Sequence, residues 1–259
     1  MRVSDRLEPG AKFALVLTAD GRWERRILVG LAPKLNGKLL LWFPPPLGRT
    51  GLRGLAEAIR IHLEEAYKAR PGLRAHPISM LILVDKEHFR RPADAQEELV
   101  RALKERGIEV VGITPLEAGD AFSLRGKYGY RPFTAFVAVL GVERCLDEQI
   151  ALLLEQYKGI KVEADYGPIM RALRRLGLDL EELVAERTLT ELGEKLPSLV
   201  AALEALEPSS AEGQEKQGRE GREGCCEGEG PGHAQEVPQE AHYGPRGQAG
   251  QAYACVEDA

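Results

Sequence analysis

SMLILVDKEHFRRP, residues 79 to 92, is the stretch on which the reading of this chain turns. Together with Ile78 it opens as a run over residues 78 to 84 that is apolar but for Ser79, the pattern of a strand buried on both faces. The run then stops at Asp85, Lys86, Glu87 and His88. A central strand whose carboxyl end is charged admits two readings: a metal-binding catalytic edge, or the polar exit of a core strand.

Working outward, ADAQEELVRALKER (93 to 106) has helical spacing and is closed by Gly107 in a helix-stop position. IEVVGI (108 to 113) then reads as a strand, giving a strand, helix, strand crossover expected to be parallel and right-handed. Upstream, a helix is predicted from Gly51 to Ala69, with Leu55, Ile59, His62, Leu63, Ala66 and Tyr67 on one face and Glu57 and Glu64 opposite, pointing to water. Before it, FALVLT (13 to 18), ERRILVG (24 to 30) and KLLLWF (38 to 43) are rich in strand-forming residues. The dipeptides Asp20-Gly21 and Asn36-Gly37 between them are favoured hairpin turns, and Pro44-Pro45-Pro46 ends the third strand.

Downstream, residues 116 to 132 read as a loop, 133 to 141 as a strand and 143 to 157 as a helix. A further helix starts at Pro168, and a last one runs from Asp179 to Leu206. The fold class expected is α/β, with a mixed sheet of an antiparallel three-strand meander followed by parallel crossover strands, helices on both faces and a helical C-terminal extension. The domains expected are 1–157, the extension 158–206 and a disordered tail 207–259.

The tail is set apart by composition. Residues 1 to 206 carry 31 Lys and Arg against 29 Asp and Glu, whereas residues 207 to 259 carry 4 against 11, with ten glycines and almost no aliphatic residues. Such a segment cannot bury enough apolar area to offset its ordering entropy. Cys225, Cys226 and Cys255 lie there with His233 and His242, without the CxxC spacing of a closed zinc site. Cys145 is the single thiol elsewhere, which argues against a disulfide framework and for a reducing compartment. Apolar runs are too short to span a bilayer, and MRVSDRLEPG has no apolar signal segment, so a cytoplasmic location is expected.

The order of elements resembles the ribonuclease H-like fold over residues 12 to 157, and from 78 onward it looks like the corresponding part of Piwi-type domains. The resemblance implies acidic residues at the sheet edge holding two divalent ions, Mg²⁺ or Mn²⁺, for phosphodiester cleavage. Asp85 matches the acid at the end of the fourth strand, although it could equally cap the exit toward helix 93 to 106. Asp20 is nearest to the first-strand acid, but lies in a turn where aspartate is common. Glu143 begins its helix on the side of Leu146, Ile150, Leu153 and Tyr157, where the macrodipole also favours an acid. Asp147 flanks that face as a reserve; Glu148 and Glu155 lie opposite and should be solvated. The catalytic candidates are thus Asp85, Glu143 and Asp20, with Asp85 and Glu143 as metal ligands. His88 reads as a surface-loop residue and His62 as a satisfied core-edge imidazole.

Charge suggests a second function. Between Gly21 and Ala56, seven basic residues including Arg22, Arg25 and Arg26 face one acid, Glu24, and are interleaved with Trp23, Trp42 and Phe43. LRGKYGYR (124 to 131) alternates Arg125, Lys127 and Arg131 with Tyr128 and Tyr130, and Arg90 and Arg91 follow the opening strand. Cations with aromatic rings suit phosphate neutralisation and base stacking. The primary expectation is therefore DNA or RNA binding through a basic face without catalysis. A metal-dependent nuclease is the alternative, and a protein-interaction subunit using the leucine-rich C-terminal helices is a third. No Walker loop, no GxGxxG after a strand and no GxSxG elbow is present, which disfavours nucleotide-cofactor enzymes and serine hydrolases.

Overall fold

The computed structural model describes residues 1–211 apart from 9, 20, 22, 36, 49–50 and 70–76; the side chains of 69 and 208–211 are also outside the description. Asp20, Arg22, the turn at Pro71-Gly72, parts of the two hairpin dipeptides, and the acidic tail with its cysteines and histidines therefore lie outside the described residues.

The apolar run of the opening stretch forms β4, Ile78–Asp85, and organises the sheet. Its alternate residues serve opposite layers. Met80, Ile82 and Val84 pack with α2 (Gly51–Ala69) and α3 (Ala95–Lys104). Leu81 and Leu83 pack with α1 (Glu24–Leu31), α4 (Leu146–Lys158), α5 (Tyr166–Leu176), α6 (Leu180–Ala185), α7 (Leu189–Lys195) and α8 (Pro197–Ala211). The result is an α/β fold with helices on both faces of a mixed sheet. With β1 (Arg2–Ser4), β2 (Phe13–Thr18), β3 (Leu40–Trp42), β5 (Glu109–Pro115), β6 (Ala121–Tyr128) and β7 (Arg131–Leu140), the seven strands run in the order β1-β3-β2-β4-β7-β6-β5.

The antiparallel meander expected over residues 13 to 43 is formed instead by residues 109 to 140. Residues 24 to 30 are helical, because Trp23, Ile27, Leu28 and Leu31 bury one face while Val29 is 40% exposed, a period of 3.6 and not of 2. Gly30 is pressed against α6, where a Cβ would lie 2.5 Å from the Glu181 carbonyl oxygen. With a helix between them, β2 and β3 are parallel, as are β1 with β3, β2 with β4, and β4 with β7. The antiparallel strands are β5, β6 and β7. The stretch 116 to 132, expected as a loop, contains β6, with Phe122 and Leu124 inward and Arg125 and Lys127 outward. It returns into β7 through a two-residue turn in which Gly129 adopts φ +59°. The crossover from β4 through α3 does reach a strand running parallel to β4, but β7 and β6 lie between.

The single helix expected over 179 to 206 is three helices. Asp179 with Glu182, and Thr188 with Glu191, form capping boxes that start α6 and α7, and Pro197 starts α8. The leucines that suggested a partner surface are spent inside: Leu199, Leu203 and Leu206 are fully buried in one cluster with Leu81, Leu83 and Phe136. No helix among the described residues is long and apolar enough to cross a membrane.

One topological feature places the site. From β2 the chain leaves through α1 to β3 on one side, and from β4 it leaves through α3 toward the other side, with α1 and α3 on opposite faces. The crevice outside the carboxyl ends of β2 and β4 is thus the point where the winding reverses, where open α/β sheets bind ligands.

Candidate functional site

Asp85 ends β4 at this crevice and is 7% exposed. Its Oδ1 accepts a hydrogen bond from the Leu146 N–H at 3.1 Å. Leu146 is the first residue of α4, and the N-cap residue Cys145 provides no side-chain cap, so a strand-end aspartate from elsewhere in the chain does that work. Asp85 therefore caps α4, not the helix that follows it in sequence.

The chain next makes a 3-10 turn, Lys86–His88, pinned by the Glu87 N–H donating to the Arg144 carbonyl at 2.8 Å. Lys86 is drawn away, to Asp120 at 2.9 Å and to the Val142 carbonyl at 2.8 Å. The turn brings positions i, i+2 and i+3 together: Asp85, Glu87 and His88 each offer one ligand atom, and these lie within 4.8 Å of one another. His88 is half-buried, and its Nε2 is buried with no hydrogen-bond partner among the described residues. It is not the free surface-loop side chain expected. Glu87 pairs with Arg144 at 3.4 Å across exposed side chains, a contact weak enough for a cation to displace.

On the α1/α4 side, a cleft of about 370 Å³ is lined by Glu24, Asp85, Glu87, Asp147, Glu163 and Asp165, with Arg144 the one basic residue. The helices explain much of this acidity. The first turns of α1, α4 and α5 meet here, each with a carboxylate at its start: Glu24 accepts from the N–H groups of Gly21 and Trp23, just before α1, at 3.1 Å each, Asp85 caps α4, and Asp165 accepts from Tyr166 at 2.8 Å. Burial pushes the Cys145 thiol up to about 11, opposed by a backbone hydrogen bond at Asp147 and reinforced by the charges of Asp147, Asp85 and Glu87. At neutral pH it is a thiol and not a nucleophile.

Glu143 is absent from this cleft. The helix starts at Leu146, so Glu143 sits in the exposed turn before it, and Asp147 occupies the place its expected role required. Glu148, expected in water, holds that turn: its Oε2 accepts from the N–H groups of Val142, Glu143 and Arg144 at 2.9, 2.8 and 2.9 Å. Burial raises its pKa, but the backbone donors outweigh this and hold it below the ordinary carboxylate value. Glu57 is likewise not solvated, being enclosed by Arg60 at 2.7 Å and Arg106 at 3.6 Å.

On the α2/α3 side, a second cleft of about 340 Å³ is lined by His88 together with Arg53, Arg90 and Arg101 and the first residues of α2, Gly51 and Leu52. Arg90 and Arg101 have no ion pair among the described residues. Arg53 reaches Glu105 at 3.7 Å. Glu98, which also lines the cleft, is occupied in accepting from the Arg90 and Arg91 N–H groups at 3.1 Å each. His88 thus belongs both to the three-residue cluster and to a cationic cleft.

No protein-family model, curated protein or solved structure matches the chain. The remaining basic residues are dispersed. Arg25 pairs with Asp5 at 2.7 Å, Arg26 with Asp179 and Glu181 at 2.8 Å each, and Arg91 with Asp94 at 3.9 Å. Lys127 pairs with Glu109 at 3.1 Å, and Arg131 stacks on Tyr130, 4.7 Å from the ring centre, and on Tyr128 at 5.9 Å. The register sets this hairpin apart from Asp85. Asp85 is opposite Leu140 and Tyr128 opposite Arg131, nine residues away along β7, which is about 30 Å at 3.3 Å per residue. The segment 124 to 131 is at the amino end of β4 and is no rim to the Asp85 edge.

Proposed function

We propose that the protein is a divalent-cation-dependent enzyme acting on a phosphate ester, with nucleic acid or a nucleotide as the substrate class, and that the carboxyl edge around Asp85 is its site. The observation that carries this reading is the sharing of His88: the Asp85, Glu87 and His88 ligand atoms lie within 4.8 Å of one another, and His88 also lines the cleft of Arg53, Arg90 and Arg101. A cation beside arginines suits a group that is both metal-bound and anionic, which describes a phosphate.

The residues fit such a cation. A buried imidazole nitrogen without a partner has an unmet need that a cation, or a water bound to one, fulfils. Two carboxylates with one imidazole suit Mn²⁺, and Mg²⁺ less closely. Bound there, the cation supplies Lewis acidity and a more acidic water. Asp85 and Glu87 carry the charge that holds it, and the Leu146 N–H keeps Asp85 oriented. Arg90 and Arg101 hold the non-bridging phosphate oxygens. This differs from the two-ion layout implied by the ribonuclease H-like resemblance, since the ligands come from one strand end and the turn after it.

Nucleic-acid binding without catalysis keeps one specific support, the β6–β7 hairpin, where Tyr130 is 62% exposed and Arg125 has no ion pair among the described residues. The two readings part in one experiment. Asp85→Asn preserves an acceptor for Leu146, because asparagine caps helices as well as aspartate does. It should therefore melt like the parent protein while binding Mn²⁺ at least tenfold more weakly by calorimetry, and lose Mn²⁺-dependent hydrolysis of a phosphodiester. Parent protein that binds no Mn²⁺, or a variant that binds it equally well, would sink the proposal.

A further inference from the structure

A third cavity, of about 350 Å³, opens at the same crevice on the other side of the first turns of α2, and falls in the range of roughly 300–1,000 Å³ typical of small-molecule sites. Leu17, Leu55 and Ala58 make it apolar, and Pro44, Pro45 and Pro46 form a wall. Three consecutive prolines fix the backbone of that wall and remove its N–H donors. Its polar lining includes Thr18, Arg25 and His62.

His62 is the informative one. It is 3% exposed, and its Nδ1 is 2.7 Å from Glu65 Oε2. A carboxylate only accepts, so Nδ1 donates to it and Nε2 is left to meet a ligand, as an acceptor in the neutral ring and as a donor in the imidazolium. Nε2 has no protein partner among the described residues. An apolar slot with a rigid proline wall and one unpartnered ring nitrogen suits a flat heteroaromatic ring, whose edge carries both donors and acceptors. A sugar would need several polar partners and suits it poorly. The slot also adjoins the Asp85 strand end: Ala19, which lines it, donates its N–H to the Leu83 carbonyl at 3.1 Å, two residues before Asp85.

We infer that this cavity is a nucleobase pocket, which makes the substrate class of the Asp85 edge a nucleotide. The inference rests on the function proposed above, and it names the part of the ligand that the metal cluster and the arginines do not hold. Arg25 serves the ribose-phosphate side of the same ligand.

The test is binding of the four ribonucleoside monophosphates and of ribose 5-phosphate to the whole protein by calorimetry in the presence of Mn²⁺. At least one nucleotide should bind about tenfold or more tightly than ribose 5-phosphate, the expected return on burying a base. Ala58→Phe fills the slot from a half-buried position and should erase that difference. Thr18→Val and His62→Gln, which add little volume, should each narrow it severalfold, so the outcome does not hang on one variant folding. The inference is overturned if no nucleotide outbinds ribose 5-phosphate, or if folded variants keep the difference within twofold. Mn²⁺ titration of the same proteins reads the metal cluster separately: Asp85→Asn should lose Mn²⁺ and keep the preference for a base. A preference for a base with no Mn²⁺ binding would overturn the metal-dependent function and leave the pocket standing.

Discussion

The two ends of the sheet treat their charges in opposite ways. At the amino end of β4, beside the β6–β7 hairpin, most charges are matched: Lys127 with Glu109, Arg131 with Glu64 at 3.9 Å and over the rings of Tyr128 and Tyr130, and Arg60 with Glu57. At the carboxyl end, like charges are gathered despite a few pairs: carboxylates crowd one cleft, and in another Arg90 and Arg101 have no ion pair among the described residues beside Arg53, Glu98 and Glu105, with the unpartnered Nε2 of His88 on a residue common to the Asp85–Glu87–His88 cluster and that cleft. Matching charges is what stability alone favours, and gathering them is tolerated where a ligand supplies the counter-charge. The basic, aromatic hairpin looks more like a binding surface in the sequence and keeps Arg125 without an ion pair and the Arg131 Nε without a partner among the described residues, yet the larger gathering of like charge is at the other end of the sheet.

The largest expected effect concerns the turn that builds the carboxyl end. Gly141 has φ +102°, and a Cβ there would lie 2.6 Å from the Cys145 nitrogen and 2.8 Å from the Arg144 carbonyl carbon. Gly141→Ala should cost about 3 kcal/mol, strain and clash together, read as a lowered urea midpoint. Gly129 in the hairpin has φ +59° and open space around its Cα, so Gly129→Ala should cost only about 1 kcal/mol. Equal losses would mean that the two ends are equally constrained, and the contrast would fail.

Asp85→Ala comes next. Removing the cap of α4 should cost about 1–2 kcal/mol beyond what Asp85→Asn costs, with the proposed Mn²⁺ binding lost in both. If the alanine variant is as stable as the asparagine variant, the Leu146 hydrogen bond contributes nothing and Asp85 is held by the site alone.

A smaller effect is expected at Glu148, and it depends on pH. The folded carboxyl is held below its ordinary value of 4.5, so its stabilisation is present above that value and is lost as pH falls through the lower folded value. Glu148→Gln should be less stable than the parent by about 1 kcal/mol near neutral pH, from weaker hydrogen bonds to residues 142–144. The two should converge in acid, below both values. A difference that persists unchanged there would show that packing, and not charge, is responsible.

How much could be read from the sequence depends on how local each signal is. β4 was legible because a strand buried on both faces needs no context beyond its own apolar run. α1 was not, since Ile27-Leu28-Val29 favours a strand locally and the deciding contact, Gly30 on Glu181, is about 150 residues away in sequence. β6 was missed because its inward positions include Gly126, where a Cβ would come within 2.7 Å of Phe133, so the alternation is not written in apolar residues. Asp85 was legible as a strand end. Glu87 and His88 stood in the same stretch, but their convergence depends on a 3-10 turn that has no strong sequence signal. Starting α4 at 143 in place of 146 exchanged Asp147 for Glu143.

The smallest expected effect tests the contrast from its other side. Replacing Arg125, Lys127 and Arg131 together should leave Mn²⁺ affinity and Mn²⁺-dependent hydrolysis of a mononucleotide-sized ester within about twofold, since about 20 to 30 Å of sheet, more than two Debye lengths, separates them from Asp85. Lys127 and Arg131 have local partners, so a modest loss of stability of about 1 kcal/mol is the main consequence. The informative comparison is a long single strand against the short ester. If the triple variant loses affinity for the strand alone, with the salt slope falling by the charges removed, the hairpin is a second contact for a polymer that reaches both ends of the sheet. If both ligands weaken together, the two ends are coupled, and the division between a structural end and a functional end is wrong.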